Sequence, residues 1–209
     1  MRQKIKLVTF LLILIFAAGC NNPGEEEGDY LAYITASQDS EYENTIRDLN
    51  LGVLFDFNIE LPYAEETMVT LWVQGYKNGE ELEADELANI RFGNFPEEEV
   101  EGRLGFSLLN PDNQTFFLYT PGGTAGPHIP ENNPVITDEN TFSTWEYAIG
   151  DERLDLSEGE ARVLAAFRQT KGESTRSGYD YNSPGGLREA INDDDVVLLL
   201  MIEVKREEF

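Results

Sequence analysis

The chain has 209 residues, 15 Lys+Arg against 40 Asp+Glu, and a formal net charge of −25. That balance leaves no basic stripe for nucleic acid, and one histidine with one cysteine cannot make a zinc or other transition-metal cluster. A lone cysteine also excludes an internal disulfide, so stability must come from packing a core, for which the length is sufficient.

Met1 to Cys20 starts with Arg2, Lys4 and Lys6, runs apolar from Leu7 to Ala18 with Thr9 as the interruption, and closes on Gly19-Cys20. The apolar run spans roughly 18 Å as a helix, too short for a bilayer core of about 30 Å. A basic head, a short apolar middle and small residues at the end are the features of an export signal. Ala17-Ala18-Gly19-Cys20 resembles the lipobox of bacterial lipoproteins, with Ala17 where Leu is usual. The resemblance implies cleavage before Cys20, which removes residues 1–19, and a diacylglyceryl group on the Cys20 sulfur. It places the protein at the outer face of the bacterial cell membrane, lipid-anchored, and says nothing about the domain that follows.

Residues 20–29 read as an acidic flexible tether, because Pro, Gly and like charges keep a chain extended and solvated. Residues 30–209 read as a single domain. The acidity has two readings: a surface suited to a salty or alkaline exterior, or a surface for a basic or cationic partner.

Within the domain, Leu31, Tyr33 and Ile34 suggest a short first strand, and SQDSEYEN reads as loop. Val53, Phe55, Phe57, Ile59 and Leu61 alternate with Leu54, Asp56, Asn58 and Glu60, the period of a strand with one buried face. Val69, Leu71 and Val73 alternate in the same way, and the strand runs on to a type I′ hairpin signal at Asn78-Gly79. Leu82, Leu87, Ile90 and Phe92 mark a weaker return. Leu104, Phe106 and Leu108, the turn Asn110-Pro111-Asp112-Asn113, and Phe116 to Tyr119 predict a second hairpin.

Thr120 to Thr141 is rich in Pro and Gly and reads as a long irregular loop, of the kind that is usually functional or disordered. Trp145, Tyr147 and Ile149 then alternate, and Leu154 and Leu156 form a short strand. Ala161 to Thr170 supports two readings. Ser157 and Glu160 could form a helix-capping box; as a strand, Ala161, Val163, Ala165 and Phe167 would face inward, and the strand-rich surroundings and the short Ser-Glu-Gly-Glu link favour a hairpin. Residues 172–194 read as polar loop with a helical turn near Leu187 to Ile191. Val196 to Val204 is apolar on both faces, as a central strand is. The expected fold is all-β, an antiparallel β-sandwich of immunoglobulin-like architecture with long loops and at most one or two short helices.

Chemistry is scarce. His128 lies in the Pro/Gly loop, and no Gly-x-Ser-x-Gly elbow exists to pair with it. Asp193, Asp194 and Asp195 are the best oxygen cluster for calcium, but they lack the spaced order of an EF-hand, so no cofactor is expected. What remains is recognition by aromatics: Trp72 and Tyr76 opposite the buried face of their strand, and Tyr119, Trp145 and Tyr147 beside the long loop. The expectation is a lipid-anchored extracytoplasmic binding or assembly protein with no catalytic activity, contacting a protein partner (a basic one suits the charge) or a cation through loop 120–142. The alternative is a calcium-dependent adhesion module or a small carboxylate-based surface hydrolase.

Overall fold

The computed structural model describes residues 29–207 apart from 84–86, 110–113, 139 and 173–174. The leader, Cys20 and the tether before Asp29 lie outside the described residues, as does the Asn110–Asn113 turn. The chain enters through β1 (Tyr30–Ala36), crosses a helix α1 (Glu41–Asp48), and returns as β2 (Gly52–Leu61). The sequence suggested loop where α1 forms. Its signals are local: the Ser40 hydroxyl accepts the Glu43 N–H at 3.1 Å, Glu41 and Glu43 sit in the first turn, and Arg47 sits in the last. None of its residues is buried, so no apolar stripe marked it.

β3 (Thr67–Lys77) turns into the short β4 (Glu80–Glu81) through Asn78 and Gly79, whose φ values of 52° and 80° suit a type I′ turn. The return strand is then interrupted, and β5 (Ala88–Gly93) pairs with the earlier half of β3. Gly75 permits the interruption: a Cβ there would lie 2.5 Å from Leu87 and 3.0 Å from Leu82, which fold over it. β6 (Val100–Leu109) and β7 (Thr115–Thr120) pair antiparallel as expected.

The long loop is shorter than its composition implied. Its first part is a strand, β8 (Gly123–His128), which pairs with β7. β9 (Phe142–Tyr147), β10 (Leu154–Ser157) and β11 (Ala161–Thr170) follow. Residues 161–170 are therefore strand, but β10 and β11 belong to different sheets, so the Ser-Glu-Gly-Glu link is a crossing and not a hairpin turn. A register shift between Val163 and Ala165 adds one residue to β11. It turns Val163 to the face opposite Ala165 and Phe167, contrary to simple alternation. The suggested helical turn is a full helix, α2 (Pro184–Asp193), capped by Ser183. β12 (Val196–Arg206) completes the chain.

The strands form a sandwich of two antiparallel sheets. The first has the order β10-β1-β2-β6-β7-β8; the second has β4-β3-β12-β11-β9, with β5 also on β3. Phe55, Phe57, Phe106, Phe116, Leu71, Leu164 and Leu198 meet between them. A second, smaller core lies on the outer face of the second sheet, where Tyr179, Tyr181 and Ala190 cover Val163, Ala166, Val197 and Leu199. That cover explains why β12 is apolar on both faces.

The strand directions give the sandwich two distinct ends. Asp29, Tyr30, Glu66, Ser157 and Arg206 cluster at the end where the chain enters, tied by Arg206 to Asp29 and by the Glu207 N–H to the Glu66 carbonyl. Gly52, Leu109, Thr115, Phe142 and Thr170 mark the far end, about 30 Å away along a strand of ten residues.

Candidate functional site

A cleft of about 400 Å³ opens between the two sheets at the far end. Val53, Leu108 and Gln114 line it from the first sheet, and Ser143, Trp145, Phe167 and Gln169 from the second. The segment Val135 to Asp138, the second half of the expected loop, forms its third wall.

That wall is strapped to both sheets. The Asn133 amide donates to the Gln114 carbonyl at 3.1 Å and accepts the Val135 N–H at 3.1 Å. Gln169 accepts the Ile136 N–H at 2.7 Å, and its own amide donates to the Ile136 carbonyl at 3.0 Å and the Ser143 hydroxyl at 3.1 Å. Buried backbone groups need such partners, and here side-chain amides replace the ladder that Pro130 and Pro134 interrupt. Val135 and Ile136 then pack on the main core. The wall is held in place before any ligand arrives, which lowers the ordering cost of binding.

One aromatic of the lining, and three apolar side chains next in sequence to lining residues, are open to water. Trp145, opposite Phe167 in the β9–β11 register, is 53% exposed; Phe142 is 54%, Leu49 62% and Leu51 44%. Leu49 and Leu51 flank Asn50, and Phe142 flanks Thr141 and Ser143, all of which line the cleft. The Thr141 hydroxyl is shielded from solvent and has no hydrogen-bond partner among the described residues.

No family model, curated protein or solved structure matches the chain.

The aromatics singled out from sequence do not share one surface. Trp145 alone lines the cleft. Tyr147 points into the core with its ring 5.5 Å from Phe55 and 5.2 Å from Phe57; its hydroxyl accepts the Asp56 N–H at 3.1 Å and donates to Glu43 at 3.2 Å. Tyr119 lies on the outer face of the first sheet, donating to the fully buried Asp56 at 2.7 Å, with Arg103 on the same carboxylate and stacked on Tyr42. This network holds α1 to the sheet. His128 ends β8 with Nε2 against the Leu87 carbonyl. Trp72 and Tyr76 sit on the outer face of the second sheet, opposite Met201 and Val197. An alternating strand sends neighbours to opposite faces, and the sequence could not say which sheet each face belonged to.

The three aspartates before β12 are divided among three partners. Asp193 accepts from the Tyr179 hydroxyl at 2.7 Å, Asp194 pairs with Arg168, and Asp195 accepts the Lys171 N–H at 2.7 Å. Among the described residues no group of three or more His, Cys, Asp or Glu side chains is placed to hold a metal ion. Arg168 is 1% exposed and also meets Glu146 at 2.9 Å and the Arg176 carbonyl at 2.6 Å. Tyr181 donates to the same Glu146. Burial raises the Asp194 carboxyl above the usual range, and the Arg168 guanidinium opposes that rise. The cluster fixes the 175–194 cover against the second sheet, and it serves the fold.

Sequence reasoning missed Gln114, Asn133 and Gln169. The one signal was Gln169 inside an otherwise apolar strand, since a buried amide there must have partners.

Proposed function

We propose that the chain is a lipid-anchored extracytoplasmic binding or assembly protein without catalytic activity, and that a protein partner seats in the far-end cleft. The observation carrying this reading is Trp145, a largely exposed ring that lines one preformed cavity, with the exposed side chains of Leu49, Leu51 and Phe142 next in sequence to other lining residues. Such patches on a monomer commonly mark interaction sites, and tryptophan is a frequent anchor in them.

The two ends support the same reading. An anchor at Cys20 would attach through the tether at Tyr30, at the opposite end from the cleft, which keeps the attachment point clear of the cleft. Glu65, Glu66, Glu97, Glu98, Glu99 and Glu158 crowd the entry end, and they repel an anionic lipid surface. Among the described residues no helix is long and apolar enough to cross a membrane.

The test is cross-linking on intact membranes with point variants. Deleting residues 121–134, as loop dispensability would invite, removes β8 from the first sheet and is unsuitable. Trp145→Ala and Trp145→Ser should keep the melting temperature and lose the cross-linked partner. Unchanged capture by both variants would show that the cleft is not the site.

A further inference from the structure

We propose that the partner presents a carboxylate beside its apolar anchor, recognised by Lys77 and Lys171; this rests on the cleft reading above. A second cavity of about 410 Å³ lies on the other side of the Val135–Asp138 wall and is lined by Lys77, Asn78, Lys171 and Asp195. Outside the leader the chain has only three lysines. Lys205 is paired with Glu203 at 2.7 Å. The ammonium groups of Lys77 and Lys171 make no ion pair or hydrogen bond among the described residues, and both line this one cavity.

In a chain with 40 carboxylates, unpaired cations are unusual, and their neighbours here are already engaged. The Asp195 carboxylate accepts the Lys171 N–H at 2.7 Å, and its carbonyl accepts the Asn78 N–H at 2.8 Å. Asp195 thereby ties the backbone of both lysine-bearing turns together. Asp138, on the shared wall, accepts the Asn140 N–H at 3.3 Å. Among the described arginines, Arg47, Arg91, Arg103, Arg153, Arg162, Arg168, Arg176 and Arg206 are in ion pairs, and Arg188, exposed on α2, stands apart from both cavities. Lys77 and Lys171 are thus the unpaired cations that share one cavity beside the apolar cleft. Asp138 and Asp195 make its lining formally neutral, so in a chain of net charge −25 this is a locally neutral spot with two ammonium groups still open to an acceptor. Local complementarity at a docking surface chooses the partner group, and here it selects an anion within reach of an apolar side chain.

The probes are N-acetyl-phenylalanine, which joins a ring to a carboxylate, and its uncharged amide. Binding is read from Trp145 fluorescence in a Trp72→Phe background. The carboxylate should bind about five- to tenfold tighter than the amide, the span expected from two exposed ion pairs. The double variant Lys77→Gln/Lys171→Gln should bring the carboxylate down to the amide's affinity without changing the amide, and Asp138→Asn should strengthen the carboxylate. Equal binding of the two probes, a preference that survives in the double variant, or weakening by Asp138→Asn would overturn the inference while leaving the cleft reading in place. No fluorescence response to either probe would instead remove the cleft reading, and the inference with it.

Discussion

Gln169 grips the backbone of Ile136 with both ends of its amide, accepting the N–H at 2.7 Å and donating to the carbonyl at 3.0 Å. A side chain on the last turn of the β-ladder thus takes the place of a neighbouring strand, and it converts a Pro-rich connection into the wall of a cleft.

Replacing Gln169 by Leu keeps the size and removes both bonds. The Ile136 N–H then loses its partner, at a cost of about 1–3 kcal/mol. Hydrogen exchange at Ile136 should accelerate far more than at Leu198 in the central strand β12. Equal protection at both amides in the variant would mean that the wall is held by packing alone.

The Arg168–Asp194 pair should behave as a buried ion pair whose members need each other. Asp194→Ala strands the guanidinium, which Glu146 compensates in part, so a loss of about 3 kcal/mol is expected by denaturant unfolding. Replacing Arg168 and Asp194 together by apolar residues of similar size should cost less than Asp194→Ala alone. A double variant as unstable as the sum of the singles would show that the pair is not coupled.

Four tyrosines predict an alkaline limit. Burial raises Tyr119, Tyr147 and Tyr181 well above the ordinary phenol range, and burial with the bond to Asp193 pushes Tyr179 up to about 12. A phenol with a raised folded pKa favours the folded state fully below the unfolded value near 10. That contribution is lost as pH climbs from about 10 toward the folded values, because only the unfolded chain can ionise. The melting temperature should therefore fall once pH passes about 10, and residue-resolved NMR should show Tyr119, Tyr147 and Tyr181 ionising only with that loss. Phenolate forming at these three rings before any loss of stability would contradict the burial.

Exposure and burial separate the two aromatics of β9. Trp145→Ala should change stability by less than about 1 kcal/mol, since its ring is largely in water. Tyr147→Ala empties the space against Phe55 and Phe57 and should cost about 3–5 kcal/mol. Tyr147→Phe isolates the hydroxyl: it frees Glu43 and should loosen α1, visible as faster exchange in residues 41–48.

Much of the fold was legible because it rests on local rules. Period-two alternation marked β2, β3, β6 and β9, and Asn78-Gly79 announced its turn, since only residues tolerant of positive φ fit there. α1 escaped because it buries nothing, and β8 escaped because Gly and Pro hide an edge strand that needs few hydrogen bonds. The site was half legible: the far part of the loop and Trp145 are in it, whereas Tyr119, Tyr147, Trp72 and Tyr76 are elsewhere.

By itself the sequence determined the class of fold, a single cysteine, an acidic charge balance and a leader that resembles a lipobox, all of which depend on composition or on neighbours along the chain. Only the tertiary structure decided which strands share a sheet, and hence which faces become core. It also brought together groups far apart in the chain, Gln169 with Ile136 and Lys77 with Lys171. The physical reason is that alternation tells a residue which side it is on, but pairing across the sheets decides what stands on that side.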